Sequence, residues 1–349
     1  VQGSVRMKGR LDWEIKKVFH GDFNSLKENF RILLRIGAYQ LKYMDNVPDY
    51  AAVACTVQLA KEVNLKLSGL TNAILRGLIN DNSITPPNEN DSLPIWASYL
   101  SHPEWLIKKW TRDKDFKFAK SLAEWNNVTP LIWFRVNEVN YSIKNFKLYL
   151  NENKINYTQF TPMKIFFKID KAQQVINSEL FKCGKISVQD PAAGLVVNLL
   201  DPIQDETIID ACSAPGGKTS YIAEKLSNSG KIIAFDSDSD RIKKIKKMVD
   251  RLQFKNIIIS VFDVSKNKMP QSEKILLDVP CSGTGVLSKR ADIRWRRNVE
   301  DILEMHLLQR KILWAAAQSL KKGGIIVYST CSMEIEENWM VVDAFLKTH

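Results

Sequence analysis

The chain has 349 residues, 45% of them apolar and 26% charged, which excludes disorder as the overall state; at ~150 residues per domain it has room for two to three domains. Fifty Lys and Arg against 39 Asp and Glu leave a formal charge of +11, a surplus that favours a polyanionic partner. Residues 1–85 carry +4 of it and residues 86–185 carry +5, while residues 186–349 carry only +2. No apolar run approaches the ~18 residues of a membrane span, and the start, VQGSVRMKGR, lacks the apolar core of a signal peptide. Both ends read as clipped, since the chain opens without Met and stops just after a helical pattern. Five widely spaced cysteines (55, 183, 212, 281 and 331) predict thiols in a reducing cytoplasm. Four unclustered histidines and no CxxC pair predict no metal site.

Residues 12–80 read as helical. In SLKENFRILLRIGAYQLKYM, Leu26, Phe30, Leu33, Leu34, Gly37, Ala38 and Leu41 recur at helical spacing, with Ser25 as the expected N-cap. Pro48 breaks the pattern and Asp49 is placed to cap YAAVACTVQLAKEV; LTNAILRGLIN forms a third helix. The small residues among these segments suit close packing, so residues 1–85 are expected to form an all-α bundle. DNSITPPNENDSLP (81–94) has linker composition. Helix resumes over 95–127, with Trp96, Trp105, Trp110 and Trp125 as packing residues, so residues 86–130 form a linker and helical segment. Residues 131–185 alternate strand, helix and strand, a small α+β unit.

From 186 to 349 strand and helix alternate throughout, the pattern of a doubly wound, Rossmann-like parallel sheet. The Lys-rich stretch 243–247 belongs to a solvated helix that packs Ile242, Ile245, Met248 and Leu252 inward. Strand ETIIDAC runs into SAPGGKTS and a helix; Gly216 and Gly217 permit a tight turn and close approach of a ligand to the helix amides. A phosphate loop of a P-loop NTPase would need glycine where Cys212 stands, which disfavours that reading. The next strand ends at Asp236, 20 residues after Gly216, where an acid accepts from both ribose hydroxyls. The third strand ends in Asp263, a position suited to the amine of an adenine. A glycine loop with two strand-end acids fits an adenosine cofactor without phosphates, S-adenosylmethionine. The competing reading is that each Asp caps the helix that follows it. Two further strands end in Asp278-Val279-Pro280-Cys281-Ser282 and Thr330-Cys331-Ser332, and both open on the same crevice. One cysteine there is usually packing; two, with an Asp beside them, suggest chemistry.

DACSAPGGKT, LLDVPCSGTGV and YSTCSMEIEEN resemble the defining motifs of the RNA cytosine-5 methyltransferases. The upstream segments RILLRIGAYQLKYM, VPDYAAV, LTNAILRGL and SHPEWLIKKW resemble the branch with an N-terminal NusB-like domain, the bacterial 16S ribosomal RNA enzymes of the Sun/RsmB type. The resemblance covers nearly the whole chain. It departs at Ser213, where Ala is usual, and at Arg290-Ala291, where His-Pro or Asn-Pro precedes Asp292 in the family. It implies a NusB-like RNA-binding bundle, a small α+β subdomain and a Rossmann-like methyltransferase domain. It implies Cys331 as the nucleophile toward cytosine C6, Cys281 as the group assisting proton loss and release, and Asp278 holding or protonating N3. Cys212, Ser213, Ala214, Pro215, Gly216, Gly217, Lys218, Asp236, Asp263 and Asp278 are the expected cofactor residues. Pro280-Cys281 is followed by Ser282 rather than the Gln of the DNA enzymes, against a DNA substrate. The expected partner is therefore RNA, most specifically 16S ribosomal RNA, with no membrane, no metal and a monomeric chain. The alternative from a binding class is a NusB-like RNA-binding protein whose catalytic domain is inactive, against which the intact Asp278, Cys281 and Cys331 stand.

Overall fold

In the computed structural model, residues 1–80, 85–227 and 229–348 are described. The chain divides into two compact units, Val1–Thr129 with Val286–Val299, and Pro130–Gly285 with Glu300–His349. No helix among the described residues is long and apolar enough to cross a membrane.

The first unit is helical: α1 (Gln2–Arg6), α2 (Lys8–Val18), α3 (Glu28–Tyr43), α4 (Asp49–Val63), α5 (Leu67–Asn80), α6 (Leu93–Tyr99), α7 (Glu104–Asp113) and α8 (Phe116–Asn127). The predicted stripe of α3 is the buried one: Phe30, Leu33, Leu34 and Ala38 pack with Leu11 and Ile15 of α2 and with Ile74, Leu75 and Leu78 of α5. Each large apolar side chain buried there contributes roughly 1.5–3 kcal/mol. A second cluster joins Trp96, Leu106, Ile107, Trp110, Ala119 and Ala123.

Four expectations need correction. Helix begins at Gln2, not near residue 12. Ser25 caps nothing: it lies in a 3-10 turn, Phe23–Ser25, capped by Asp22, and α3 starts later, at Glu28. Asp49 is the first residue of α4, where its charge favours the helix N-terminus, but it makes no capping hydrogen bond. Trp125 is 69% exposed, because the buried face of α8 is carried by Ala119, Ala123 and Asn126. Of the expected linker, residues 81–84 lie outside the described residues.

The second unit opens with a four-stranded antiparallel sheet of order β2-β3-β1-β4, from β1 (Ile132–Val136), β2 (Tyr157–Gln159), β3 (Phe166–Ile169) and β4 (Ile186–Val188). Strand β2 was not anticipated, and β4 carries the sheet past residue 185 to Val188. Helices α9 (Ile143–Glu152), α10 (Ala172–Ile176) and α11 (Glu179–Lys182) accompany it. Alternation along β1 sends Phe134 and Val136 into the core with Phe146, Leu150, Phe167 and Ile169. Arg135, between them in sequence and fully buried, points the other way.

The chain continues through α12 (Pro191–Leu200), β5 (Thr207–Asp210), α13 (Gly217–Lys225), β6 (Lys231–Asp236), α14 (Ser239–Leu252), β7 (Ile257–Val261) and β8 (Ser272–Asp278). After the first-unit stretch 286–299, which contains α15 (Ile293–Arg296), come α16 (Val299–Gln318), β9 (Leu320–Ser329) and α17 (Trp339–Leu346). The five strands are all parallel in the order β7-β6-β5-β8-β9. Both faces are covered, so the strands are apolar on both sides. Ile208, Ile232 and Leu276 meet α12 and α13, whereas Ile209, Ile275 and Leu277 meet α16 and α17. Strand order reverses between β5 and β8, which opens a crevice at their carboxyl ends.

Arg135 ties the two sheets' layers together. Its Nε and Nη2 donate to Glu224 of α13 at 2.9 and 2.5 Å, and Nη2 donates to Ser220 Oγ at 3.1 Å. Nη1 donates to Gln189, whose own amide donates to Gly217 O at 2.9 Å. The guanidinium also lies 4.5 Å from the Tyr221 ring centroid. In the first unit, the buried Arg294 has no acid partner among the described residues. Its Nη1 donates to Ser101 O at 2.9 Å and Asn127 Oδ1 at 2.7 Å, and its Nη2 to Asn126 O at 3.0 Å and Leu287 O at 3.2 Å.

Candidate active site at the carboxyl ends of the strands

Strand β5 delivers the glycine loop to the crevice. Ser213 anchors it by donating N–H and Oγ–H to Phe235 O, each at 2.8 Å. The Ala214–Pro215 peptide is cis, and Gly216 has φ +104° immediately before α13. A Cβ at Gly216 would meet only the flexible end of Met248 closely, at 2.4 Å, so it is the backbone conformation that requires glycine there. At Gly217 a Cβ would meet only Gln189 Nε2, at 3.6 Å, so the backbone here is open to a ligand. Cys212 packs with the apolar cluster beneath the loop, and burial pushes its thiol up.

Asp236 stands at the end of β6 with only 3% of its surface exposed. Its Oδ2 accepts from Ala214 N at 3.1 Å, and its Oδ1 from Asp238 N at 3.1 Å, which fixes the carboxylate against the glycine loop. Arg241 reaches the same carboxylate at 3.5 Å. Asp263 lies two residues beyond β7. Its Oδ1 accepts from Ser265 N at 3.0 Å and Ser265 Oγ at 2.6 Å, and Lys266 Nζ lies 3.0 Å from Oδ2. The Ser265 hydrogen bonds hold this carboxyl below its ordinary range. Asp236 ends β6 and Asp263 lies just past the adjacent β7. Neither caps a helix, since Asp238 caps α14 and β7 leads to β8; Asp263 is engaged by its own loop, while Asp236 also binds the glycine loop.

Strands β8 and β9 bring the remaining predicted residues together. Asp278 ends β8; its Oδ2 accepts from Lys218 Nζ at 2.6 Å and its Oδ1 from Ser329 Oγ at 2.9 Å. Lys218 thus spans from the glycine-loop helix to the cysteine strands, an assignment that leaves it pairing a carboxylate rather than lining a phosphate nest. Cys281 is half-buried and Cys331 exposed, and their Sγ atoms are 3.0 Å apart. The hydrogen bond to Cys331, then burial, then the charge of Cys331 push the Cys281 thiol strongly up. Gly285 N donates to Cys331 O at 2.9 Å, closing the two loops on each other.

Sequence reasoning missed several residues here. Asp210, buried under the loop, accepts from Thr219 Oγ1 at 2.7 Å, while its Oδ1 has no hydrogen-bond partner. Burial pushes its carboxyl up to about 7. Ser329, Ser282, Ser332, Gln309 and Glu337 also hold the site. Glu337 was within a quoted motif, but a long-range hydrogen bond carries no periodic signature.

Three family descriptions match successive stretches: the NusB family over residues 1–80, the ferredoxin-like domain of RsmF/B-like methyltransferases over 102–176, and the 16S rRNA methyltransferase RsmB/F over 197–349. The "Probable ribosomal RNA small subunit methyltransferase B" of Bacillus subtilis is 32% identical over 100% of this chain and 79% of its own. The ribosomal RNA small subunit methyltransferase B of Yersinia pseudotuberculosis is 33% identical over 99% of this chain and 80% of its own. Among solved structures, PH0851 matches with a TM-score of 0.84 at 28% identity, covering 99% of this chain and 79% of that one. A methyltransferase homologue from Pyrococcus horikoshii matches with a TM-score of 0.64 at 30% identity, covering 72% of this chain and 81% of that one.

Proposed function

Because the chain belongs to the RsmB/F family of 16S ribosomal RNA methyltransferases, we propose that it transfers a methyl group from S-adenosylmethionine to C5 of a cytosine in 16S ribosomal RNA. The observation that carries the reading is the 3.0 Å pair of thiols at adjacent strand ends, beside an Asp clamped by Lys218 and Ser329. The cofactor reading is supported by the open backbone at Gly217, the first-turn amides of α13 and the strand-end acids Asp236 and Asp263. When bound, that cofactor supplies an electrophilic sulfonium methyl.

Cytosine C5 is a poor nucleophile until a thiolate adds to C6 and pushes electron density onto it. Cys331 is exposed and suited to that addition; as charge develops on the ring, Asp278 in its acid form donates its proton to N3 and takes it back when the adduct collapses. C5 then takes the methyl and still carries a proton, which a base must remove before the C6–S bond breaks and Cys331 leaves. Cys281 fits this task. Two of the causes that hold its proton are the hydrogen bond to Cys331 and the charge of Cys331. Both weaken once the Cys331 sulfur is bound to carbon, so Cys281 becomes more acidic at the stage where its thiolate is needed. The target base must leave its stack, which costs least in single-stranded RNA, and the upstream positive charge supplies phosphate contacts.

The test is incubation with radiolabelled S-adenosylmethionine and protein-free 16S RNA, followed by digestion. Label in 5-methylcytidine is expected; no transfer would sink the proposal. Cys281→Ala should accumulate a covalent RNA adduct and Cys331→Ala none, and the reverse would show the two roles exchanged.

A further inference from the structure

The chain after Cys331 passes through a 3-10 turn, Ile335–Glu337, that ends in a fully buried carboxylate. Glu337 Oε2 accepts from Ser282 N at 2.8 Å and from Gln309 Nε2 at 2.9 Å. Its Oε1 accepts from Ser282 Oγ and from Ser332 Oγ, the latter at 2.6 Å. Ser282 directly follows Cys281, and Ser332 directly follows Cys331. Gln309, on α16, also donates to Pro280 O at 2.9 Å, just before Cys281. One carboxylate therefore holds the chain beside both thiols and fastens it to a rigid helix.

All four donors are neutral, and they satisfy both oxygens of this buried side chain. An unpaired buried carboxylate is costly, and four converging donors offset that cost only while both serine loops stay in place. Displacing either loop strips donors from Glu337. The same energy that keeps the carboxylate solvated by the protein thus resists any change in the thiol spacing. We infer that Glu337 is a positioning residue that sets the separation and orientation of Cys281 and Cys331 through Ser282 and Ser332. The inference rests on the reading above, in which the two thiols share one reaction.

The variants separate geometry from charge. In Glu337→Gln, the amide nitrogen can face the two serine hydroxyls, which turn to accept, while the amide oxygen keeps Ser282 N and Gln309. Glu337→Ala removes all four ties. The first readout needs no methyl transfer: diamide takes one hydrogen from each thiol, becomes the hydrazine and leaves a Cys281–Cys331 disulfide, followed by peptide mass mapping. The second readout is kcat and KM for S-adenosylmethionine on 16S RNA.

Glu337→Ala is expected to slow disulfide formation at least ~10-fold and lower kcat about 100-fold with KM within ~3-fold, the cost of misplacing reacting groups by about 1 Å. Glu337→Gln should stay within ~5-fold of the parent in both readouts. If Glu337→Ala fails to fold, Ser332→Ala removes one of the four ties, the one to the Cys331 loop, together with the Ser332 hydroxyl's contacts to Glu334 N, Ser282 and Thr284, and both readouts should fall by a smaller factor. Parent-like disulfide rates and kcat in Glu337→Ala or Ser332→Ala would overturn the inference. So would a Glu337→Gln defect equal to that of Glu337→Ala, or a parent protein whose two thiols do not pair. A parent that forms the disulfide quickly but labels no RNA would instead sink the methyl-transfer reading alone.

Discussion

Replacing Arg135 by Ala tests how firmly α13, and with it the glycine loop, is held. The substitution leaves Glu224, 7% exposed, without the two charge-assisted bonds at 2.9 and 2.5 Å. Breaking a buried ion pair from one side costs about 3–5 kcal/mol, because the remaining charge stays desolvated. Burial already pushes the Glu224 carboxyl up, against the pull of Arg135. Without Arg135 the shift grows, so the folded state binds a proton that the unfolded state does not. A raised carboxyl adds stability at low pH and loses it as pH rises through the folded value, so the deficit should be smaller at pH 5 than at pH 8. Hydrogen exchange of peptides spanning α13 is the assay: amides should exchange about 10²- to 4 × 10³-fold faster at pH 8, after correction for intrinsic rates. The double variant Arg135→Met, Glu224→Leu should recover most of the protection, since an apolar pair of similar volume replaces two buried charges. A deficit under about 1 kcal/mol, or one independent of pH, would refute the argument that an uncompensated carboxylate is responsible.

Three further outcomes are expected. Gly285→Ala places a Cβ 2.8 Å from Cys331 O, a backbone atom that cannot yield without moving its loop; stability should fall by about 1–3 kcal/mol in urea titration, and methyl transfer more than ~10-fold. Lys218→Met removes the 2.6 Å pair with Asp278, whose side chain is 32% exposed; stability should therefore move by less than about 1 kcal/mol, while single-turnover methyl transfer should drop at least ~10-fold as Asp278 loses its orientation. Asp210, pushed up to about 7 by burial, adds stability at low pH that is lost as pH rises from the unfolded value near 4 through about 7. Asp210→Asn should remove that component, so urea midpoints of parent and variant should diverge in favour of the variant between pH 5 and pH 8.

Helical spacing exposed α3 and α5, and strand–helix alternation, though broken where β8 follows β7 without a helix, exposed the parallel sheet, because both are local patterns that burial enforces. Cys281 and Cys331 were legible as strand-end residues for the same reason: a strand's end is local, and the crevice follows from the sheet's topology. Their mutual approach was implied only by resemblance. Ser25 misled because Asp22, three residues earlier, already organises a 3-10 turn there. Asp263 illustrates how a short polar loop supplies its own donors: Ser265 satisfies the carboxylate before any ligand is considered. Glu337 was invisible because its donors lie 5, 28 and 55 residues away, and no sequence period encodes such a meeting.

Arg294 bears on the order in which the protein is made. Helices α1–α8 leave the ribosome long before Arg294 does, yet the carbonyls of Ser101 and Asn126 and the amide of Asn127 find their guanidinium only when residues 286–299 arrive. During synthesis the early helices must wait with these acceptors facing water. Final consolidation of the first unit is thereby deferred until β8 and the loop bearing Cys281 have already been translated, so a nascent chain interrupted before β8 cannot acquire the finished helical unit.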